Sequence, residues 1–349
     1  IWYIDDTSAQ WIEDRPSYGT DTIGDVAQAY EFATLDEAIN ANFLIEGKVI
    51  HLKERTTGNG GGGTWDVVLA SSVSPNTYNV VICTGVPTLA IVLRMDGVVN
   101  IKQLGANQTD DISLVLQFAV DLAATFATRK TVYIPAGKYN FATQVVWRTR
   151  VSLYGDGKAN SVLRWNGADG TWAIMAEVGG CYNLKMADFG LFGPDFTATK
   201  RLLNTRKFRY STFQNIWLGD CLICNITGDC WGSEYVHCSF TPRISTPTGD
   251  YTGCVGVWVE DGTLVANAMS YRHNRFQFAE TGMLVKSGGR AYSITDANIF
   301  ESCDTGIKIS NRFVRNFQIT GNYFEMLALG PLWLDRTGMQ GWINGLNLK

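Results

Sequence analysis

Asn274-Arg275-Phe276-Gln277 recurs after 24 residues as Asn298-Ile299-Phe300-Glu301, and after another 24 as Asn322-Tyr323-Phe324-Glu325. Six residues after each phenylalanine the alignment continues with a glycine, at Gly282, Gly306 and Gly330. A fixed period of about 20–50 residues is typical of repeat architectures, in which each unit buries its apolar face only against its neighbours. This unit is too short for two helices and is rich in strand formers. The repeat therefore predicts an all-β fold, a right-handed single-stranded parallel β-helix.

Strand alternation sorts the repeat into inward and outward positions. The phenylalanines and asparagines share one parity, so we expect stacked rings inside and asparagine amides that bond one another along the axis. The other parity faces outward and carries Gln277, Glu301 and Glu325 in one row. Because neighbouring coils lie ~4.8 Å apart, Glu301 and Glu325 are expected one above the other on the outer surface.

Composition limits the classes of partner. The chain has 349 residues, of which 46% are hydrophobic and 18% charged, with 36 glycines and 8 prolines, which fits many short strands and tight turns. The net charge of −4 comes without a basic tail, so we expect no nucleic-acid partner. No apolar run reaches ~18 residues, so we expect no membrane insertion.

Four of the eight cysteines, Cys221, Cys224, Cys230 and Cys238, follow the spacing C-x2-C-x5-C-x7-C. A metal site is one interpretation, but the spacing matches no zinc pattern and no ligating histidine stands in the usual place. Free cysteine is among the most buried residue types. We therefore expect these thiols to lie inside the coils, and we expect no metal and no cofactor.

The N-terminal residues 1–98 predict a small mixed α/β region. Thr34, followed by Glu37, forms a capping-box pattern that predicts a short helix. The run Gly60–Gly63 predicts a flexible turn, and residues 64–69 after it predict a strand.

Residues 99–150 predict the start of the β-helix together with an α-helical cap over its N-terminal end. Asp110 or Asp111 is expected to cap a helix over residues 111–124, since a carboxylate accepts the unpaired first-turn amides. An acid/base pair is the alternative role of these aspartates, and their place at a helix start favours capping.

Residues 151–349 predict the β-helix itself, as short strands broken by Gly, Asn and Asp. Phe240 and Phe276 are 36 residues apart rather than 24, which predicts a loop around residues 242–249 on the binding face. Lys349 aligns with Glu325, so the chain stops in mid-strand. We expect that more sequence or a partner covers that end, and a site beyond residue 349 stays open.

Four stretches resemble bacteriophage tailspikes with a pectate-lyase-like β-helix. They are Phe32-x-Thr34-Leu35-x-x-Ala38, Gly60-Gly61-Gly62-Gly63-Thr64-Trp65, Val99 to Ala106 with Thr109-Asp110-Asp111, and Val132 to Tyr139. The run from 100 to 139 is the more specific, although other pectate-lyase-like proteins share it, and the glycine-rich stretch points to the phage members. The resemblance covers roughly residues 32–139. It departs from the family where Asn107-Gln108 shorten a Gly-x-x-Asp-Gly stretch.

The resemblance implies a homotrimeric protein of the virion tail that binds, and usually cleaves, bacterial surface polysaccharide such as capsule or O-antigen. It implies that residues 1–98 are particle-proximal and contact the phage tail, baseplate or an adaptor protein. It also implies assembly in the host cytoplasm and action at the host cell surface. The family has no universal catalytic motif to carry over, so residue roles rest on the side chains themselves.

Paired carboxylates are what glycoside hydrolysis requires. One acid protonates the leaving oxygen, and the other attacks the sugar or activates water, at separations of ~5–5.5 Å for retention and ~6.5–9.5 Å for inversion. Glu301 and Glu325 are the first candidates. The alternative is two solvated glutamates on adjacent rungs, neutralised by Arg275.

Asp261 and Asp304 complete the candidate catalytic acids. Asp261 follows a strand at residues 255–259, and Asp304 ends the strand that carries Glu301, with Glu280 as its equivalent one coil earlier. Alternatively, all three acids are turn residues with no catalytic role. Candidate substrate-binding residues are Arg275, His273, Trp258 and Tyr323.

Aromatic rings suit the binding of sugars, whose CH faces stack on them. The alignment places Trp258 in one outward row with Leu284, Lys308 and Leu332, although Pro331 and Trp333 leave the register of the last coil open. Many of the 11 tryptophans are expected to fill coil interiors or trimer contacts instead.

The predicted function is therefore recognition and endoglycosidic hydrolysis of bacterial surface polysaccharide. One alternative is a non-catalytic adhesin or structural virion protein that uses the same rod. The other is a polysaccharide lyase, with His273 or a tyrosine as base and Arg275 as neutraliser of a uronic acid.

Overall fold

Short parallel strands wind around one axis in about seven turns, which confirms the predicted right-handed parallel β-helix. This architecture is seen in a computed structural model of the protein. The structure describes residues 2–4, 11–13, 29–128, 130–194, 199–244, 251–260, 267–286, 292–310 and 317–334.

Three stacks of parallel strands form the walls. Stack 1 contains Val98–Asn100, Thr131–Ile134, Ser152–Gly155, Lys185–Ala187, Thr212–Gln214, Glu234–Val236, Ser270–Arg272, Ser293–Thr295 and Gln318–Thr320. Stack 2 contains Gly137–Phe141, Ser161–Trp165, Gly190–Phe192, Trp217–Gly219, Ser239–Thr241 and Tyr323–Glu325. Stack 3 contains Val145–Trp147, Trp172–Ala176, Arg201–Asn204, Ile223–Thr227, Val255–Val259 and Gly330–Leu334. The long strands Arg275–Val285 and Ile299–Ile309 run through both stacks 2 and 3.

The phenylalanines of the 24-residue repeat stack inside, as predicted. Ring centroids are 4.5 Å apart between Phe276 and Phe300 and 5.0 Å between Phe300 and Phe324, and Phe240 extends the column at 4.9 Å from Phe276. A Cβ on Gly282 would lie 2.8 Å from the ring of Phe300. The repeated glycine thus makes room for the repeated ring.

The asparagines form the predicted ladder at the corner between stacks 1 and 2. Asn274 Nδ2 donates to Asn298 Oδ1 at 3.0 Å, and Asn298 Nδ2 donates to Asn322 Oδ1 at 2.8 Å. Asn274 and Asn298 are buried, so these bonds satisfy amides that burial would otherwise leave unpaired.

The last coil departs from the ungapped alignment. Glu301 pairs with Glu325, as expected, but Thr305 rather than Gly306 pairs with Gly330. One additional residue therefore lies between Glu325 and Gly330. As a result Gly306 faces the carbonyl of Pro331, and the expectation that Gly330 continues the glycine column is wrong.

A helix at Ser113–Thr125 packs on the first strands, in the predicted place. The Asp111 carboxylate accepts the Ser113 amide at 2.8 Å, which is the capping role expected of the aspartate pair. Asp110 instead accepts the Asn107 side-chain amide at 2.7 Å.

Before the β-helix, a five-stranded sheet contains Ala29–Phe32, Val49–Thr56, Gly60–Leu69, Val80–Ile82 and Leu89–Leu93. The helix Leu35–Asn40 connects the first two strands in sequence. Thr34 Oγ1 accepts the Glu37 amide at 3.3 Å, as the capping box predicts. A single 3-10 turn spans Ala70–Ser72. The strands Trp2–Ile4 and Trp11–Glu13 pair antiparallel.

The glycine run at 60–63 is strand rather than the expected flexible turn. A Cβ on Gly62 would lie 2.3 Å from the carbonyl oxygens of Leu52 and Lys53, and one on Gly61 would lie 2.3 Å from that of Lys102. These glycines are therefore needed for close backbone approach, not for mobility.

All eight cysteines are buried with free thiols, and Cys221, Cys224, Cys230 and Cys238 belong to the continuous core. This confirms the expected interior position of the four clustered thiols. The strands Cys181–Tyr182 and Phe208–Arg209 pair with each other at the corner that leads from stack 3 back to stack 1. Within the described residues, no helix has the length and apolar character needed to span a membrane.

Candidate polysaccharide-binding clefts

Side chains on the outer face of stack 3 fall into two rows that run along the axis. Strand register places the first row on neighbouring rungs at Met175, Asn204, Ile226, Trp258, Leu284, Lys308 and Trp333. Trp333, not Leu332, takes the last place, because of the additional residue in that coil. Leu332 pairs with Ile307, which is fully buried.

The second row lies where the stack 3 strands end. Glu177 donates its amide to the Trp147 carbonyl, Glu260 to that of Thr227, and Lys286 to that of Val259. Following this ladder from rung to rung gives Arg148, Glu177, Arg206, Gly228, Glu260 and Lys286. Opposite charges therefore alternate along the row, except at Gly228.

A cleft of about 420 Å³ opens on stack 3 around Trp258, and we call it the Trp258 cleft. Trp258 is half-buried, and Lys286 Nζ lies 4.8 Å from the centre of its ring. The lining residues are Gly253, Val255, Trp258, Glu280, Thr281, Leu284, Lys286, Lys308 and Ser310. Gly253 lies between Phe240 and Phe276 but beyond the predicted loop around residues 242–249, of which 245–249 lie outside the described residues.

Two carboxylates occupy equivalent positions on neighbouring rungs, and the first of them, Glu280, lines this cleft. Ala279 pairs with Cys303 and Thr281 with Thr305, so Glu280 and Asp304 between them are adjacent, ~4.8 Å apart along the axis. Glu280 Oε2 accepts the amide of Gly253 at 2.5 Å, which fixes the carboxylate at the rim.

A corner with unusual backbone geometry positions these acids. Phe278 and Ser302 both have positive φ, 56° and 52°, where stack 2 turns into stack 3. For a bulky residue such as phenylalanine this conformation is an outlier that costs about 1–3 kcal/mol. The turn directs Glu280 and Asp304 to the stack 3 side of the corner rather than to the face of stack 2.

Tyr251 lies close enough to this corner to sense its charges. Its pKa is raised by partial burial and, in addition, by the neighbouring Cys303 and Asp304. Burial also raises the pKa of the Cys303 thiol to about 12, so this thiol stays protonated beneath the carboxylates. Arg243 acts on the pKa of Tyr251 in the opposite direction, so an arginine lies near the same corner as the acids and the phenol.

A second cleft, of about 350 Å³, lies toward the N-terminal end of the same face, and we call it the Arg206 cleft. Its lining residues are Met175, Ala176, Glu177, Val178, Asn204, Arg206, Lys207, Gly228, Asp229 and Glu260. Each of its three carboxylates is paired with an arginine. Arg206 binds Glu260, Arg209 binds Asp229 at 3.1 Å, and Arg148 contacts Glu177 at 3.4 Å.

Glu301 and Glu325 lie side by side on the open face of stack 2, as the sequence predicted. Gln277 Nε2 donates to Glu301 at 2.6 Å, and the Tyr323 hydroxyl donates to Glu325 at 3.1 Å. The hydrogen bond to Glu325 raises the pKa of Tyr323. None of these residues lines either cleft described above.

The other sequence candidates are separated from one another. His273 is exposed at the corner between stacks 1 and 2, where its ring stacks on His237 at 5.0 Å. Arg275 is exposed on the face of stack 2, and neither residue lines a described cleft. Asp261 lies outside the described residues, but its neighbour Glu260 lines the Arg206 cleft.

Several cleft residues were not predicted from the sequence. Glu280 was noticed only as the equivalent of Asp304, and Lys286 and Arg206 carried no motif. Two signals could have found them, the shared position of Glu280 and Asp304 in the repeat and the basic residues that directly follow stack 3 strands.

A family model described as rhamnogalacturonase A/epimerase, pectate lyase-like, matches residues 98–325. A search of curated protein sequences gave no match. Solved structures give the fold independently. The tailspike protein gp49 of the Acinetobacter baumannii bacteriophage Fri1, described as a capsular polysaccharide depolymerase, superposes with a TM-score of 0.54 at 14% identity, covering 87% of this chain and 69% of that one.

Two further structures resemble the chain. The tailspike protein of Acinetobacter phage vB_ApiP_P1 has a TM-score of 0.57 at 13% identity, covering 85% of this chain and 60% of its own. The catalytic unit of a thermostable GH87 alpha-1,3-glucanase from Streptomyces thermodiastaticus strain HF3-3 has a TM-score of 0.51 at 17% identity, covering 69% and 44%.

The chain thus spans between 44% and 69% of the lengths of these three proteins. At such identities the likeness concerns the fold. The family model, however, matches more than half of the sequence and ends at Glu325, within the last described coil. The chain belongs to the rhamnogalacturonase A/epimerase, pectate lyase-like family.

Proposed function

We propose that this chain is a phage tailspike that binds bacterial surface polysaccharide, capsule or O-antigen, and cleaves it by endoglycosidic hydrolysis at the Trp258 cleft. The observation that carries the proposal is the placement of Glu280 at the rim of a cleft that contains a half-buried tryptophan, with Asp304 on the next rung. A polymer that lies across the cleft would meet both acids and the ring.

The chemistry follows from the pair. One carboxylic acid protonates the glycosidic oxygen, and the other attacks the sugar or activates water, with the carboxyl separation setting retention or inversion. Trp258 offers a flat apolar surface for a sugar ring, and Lys286 and Lys308 offer hydrogen-bond donors.

Glu301 and Glu325 form the alternative catalytic pair on the face of stack 2. They satisfy the same requirement of adjacency, and Tyr323 and Arg275 are available beside them as sugar-binding groups. We prefer Glu280 and Asp304 because a cleft adjoins them, and a cleft excludes water and holds a substrate better than an open sheet face.

The comparisons support a polysaccharide as the substrate class. The family model names a rhamnogalacturonase, and the described activities of two structural relatives are capsular polysaccharide depolymerase and alpha-1,3-glucanase. The family description also names an epimerase, so the comparisons support a carbohydrate substrate more broadly than they support its cleavage.

The remaining parts of the proposal concern assembly. We propose a homotrimer in the virion tail, acting at the host surface after assembly in the host cytoplasm. Residues 1–98 would face the particle and contact a tail, baseplate or adaptor protein, residues 99–150 would start and cap the β-helix, and residues 151–349 would form the rod that carries the clefts.

The test is incubation of the purified protein with a panel of capsular and O-antigen polysaccharides, followed by detection of new reducing ends. Products without ultraviolet absorbance support hydrolysis, and products with a new absorbing double bond would instead identify a lyase. Binding without any products would identify an adhesin. Loss of cleavage in Glu301→Gln or Glu325→Gln, with Glu280→Gln and Asp304→Asn active, would move the site to stack 2.

A further inference from the structure

The Arg206 cleft shares a face with the Trp258 cleft and directly continues it. Glu260 lines the first cleft and Lys286 the second, and the two residues are neighbours in the same row because the Lys286 amide donates to the Val259 carbonyl. Ile226 and Trp258 are likewise adjacent on successive rungs. A chain of sugars that follows the axis from one cleft therefore enters the other.

The carboxylates of the Arg206 cleft are held in fixed positions. The Arg206 guanidinium contacts Glu260 and also donates to Asn204 Oδ1 at 3.2 Å, while Glu177 Oε1 accepts the Thr149 amide at 3.0 Å. The Arg206–Glu260 pair passes over Gly228, whose missing side chain leaves the floor open between them. Such charge-assisted pairs present carboxylate oxygens and guanidinium N–H groups side by side, which matches vicinal sugar hydroxyls.

The charges of the cleft balance. The lining contains Glu177, Asp229 and Glu260 against Arg206 and Lys207, and Arg148 and Arg209 lie behind the acids as partners. Asp121, which accepts from Arg148 Nε at 2.7 Å, makes four acids against four cations. Lys207 Nζ donates to the Val178 carbonyl at 3.0 Å. A balanced set of donors and acceptors has no excess charge to neutralise an anionic group, so the fitting ligand is an uncharged, hydroxyl-rich sugar.

An aromatic rim adjoins the cleft beyond Asp229. Its partner Arg209 lies 4.0 Å from the ring centre of Trp231 and 5.2 Å from that of Tyr182. Tyr210 is 60% exposed, and its ring lies against Gly232, where a Cβ would come within 2.8 Å of it. An exposed ring that contacts a glycine of the next coil is suited to stacking against the CH face of a sugar.

We propose that the Arg206 cleft, with Tyr210 at its rim, is a second and non-catalytic binding site for an uncharged stretch of the same polysaccharide. The proposal rests on the proposed function only in the identity of the polymer. The Arg206 cleft binds the polysaccharide, and the Trp258 cleft cleaves it. Long substrates thus gain affinity from a region that takes no part in the chemistry.

The test measures polysaccharide binding and cleavage separately. Tyr210→Ala, and the double variant Arg206→Met with Glu260→Gln, are compared with the wild-type protein by affinity electrophoresis in gels that contain the polysaccharide, and by initial rates of reducing-end release. We expect binding to weaken about 3- to 10-fold for Tyr210→Ala and about 10-fold or more for the double variant. KM on the polymer should rise accordingly while kcat stays unchanged.

Phe43→Ala serves as the matched control, because Phe43 is an equally exposed ring (55%) outside the β-helix. Circular dichroism and a denaturant midpoint confirm folding of each variant. Unchanged binding and KM in both cleft variants would overturn the proposal and leave the cleavage function standing. Weakened binding in a protein that cleaves nothing would support the second site and refute catalysis. Failure of the wild-type protein to bind any polysaccharide would overturn both.

Discussion

The Arg206 cleft and the Trp258 cleft lie on the same face of the same stack, yet they arrange their acids in opposite ways. In the Arg206 cleft every carboxylate is bound by an arginine. At the Trp258 cleft Glu280 accepts a backbone amide, that of Gly253, and another acid, Asp304, follows on the next rung. A repeated backbone can thus present a binding surface or a reactive one, according to which residue types the successive coils place side by side.

The corner between stacks 2 and 3 has similar backbone geometry in an earlier coil and in the two coils that carry the acids. Phe278 and Ser302 adopt positive φ and direct Glu280 and Asp304 toward stack 3. An earlier coil has the same corner between Gly219 and Ile223, where Asp220 also has positive φ (50°) and Leu222 takes the position of Glu280 and Asp304. The corner geometry therefore recurs along the rod, and the residue type at this position decides whether a coil presents an acid there.

The largest expected effect is the loss of cleavage on removal of either acid of the Trp258 cleft. Asp304→Asn and Glu280→Gln keep the shape of the side chain and remove its proton-transfer capacity. We expect kcat to fall about 10²- to 10⁴-fold for each, as measured by initial rates of reducing-end release. The same change at Glu301 or Glu325 should alter kcat by less than about twofold, and a larger loss there would reassign the chemistry to stack 2.

Truncation of a buried ring in the core beside the Trp258 cleft should lower the free energy of unfolding more than truncation of an exposed ring nearby. Phe300 stacks between Phe276 and Phe324 and packs under Gly282. Phe300→Ala should lower the free energy of unfolding by about 3–5 kcal/mol, measured by denaturant titration. Tyr323→Ala removes an exposed ring from the neighbouring rung and should cost less than about 1 kcal/mol. Equal losses would show that the phenylalanine column does not support this end of the rod.

Trp258 should contribute to affinity and not to the chemical step. Trp258→Ala removes the stacking surface of the Trp258 cleft, and we expect binding to weaken about 3- to 10-fold. Trp258→Phe keeps an aromatic face and should recover most of this loss. A binding assay with the Asp304→Asn background separates affinity from turnover. A kcat effect as large as that of Asp304→Asn would show that the ring acts on the reacting bond.

The smallest expected effect is the reactivity of the buried thiols beneath the two clefts. Burial raises the pKa of Cys230, under the Arg206 cleft, to about 11 and that of Cys303, under the Trp258 cleft, to about 12. Neither thiol should react with a small alkylating reagent at pH 8 in the native protein, as judged by mass spectrometry. Rapid labelling of Cys303 alone would show that the floor of the Trp258 cleft opens.

The raised pKa values of these two thiols predict the direction in which stability changes with pH. A thiol whose pKa is higher in the folded state than in the unfolded chain favours folding fully below the unfolded value of about 9. That contribution is lost as the pH rises from there toward 11 or 12. The denaturant midpoint should therefore fall between pH 8 and pH 10.5, and a midpoint that rises would contradict the buried position of these thiols.

The later coils were predictable because their repeat is strict. Asn274, Asn298 and Asn322 keep one spacing, and so do Phe276, Phe300 and Phe324, so strand parity alone gave the ladder, the ring column and the adjacency of Glu301 and Glu325. The same spacing gave the shared position of Glu280 and Asp304. It failed only at Gly330, where an additional residue in the last turn shifts the register without leaving a sequence signal.

The Arg206 cleft could not be found in this way. Arg148 and Glu177 are 29 positions apart, and Arg206 and Glu260 are 54 apart with Gly228 on the rung between them. Coil length varies in this region because turns between the stacks differ in length, so no fixed spacing marks residues that share a row. The prediction of a flexible turn at 60–63 was wrong for a related reason, since the role of these glycines in close packing depends on distant residues such as Lys102.

A crystal structure of the Asp304→Asn variant with an oligosaccharide of the polysaccharide that the wild-type protein cleaves tests the central claim most directly. The account predicts a sugar ring on Trp258, a glycosidic oxygen within hydrogen-bond reach of Glu280 and of residue 304, and further sugars running toward Arg206. An oligosaccharide bound over Glu301 and Glu325 on stack 2, with the Trp258 cleft empty, would contradict it.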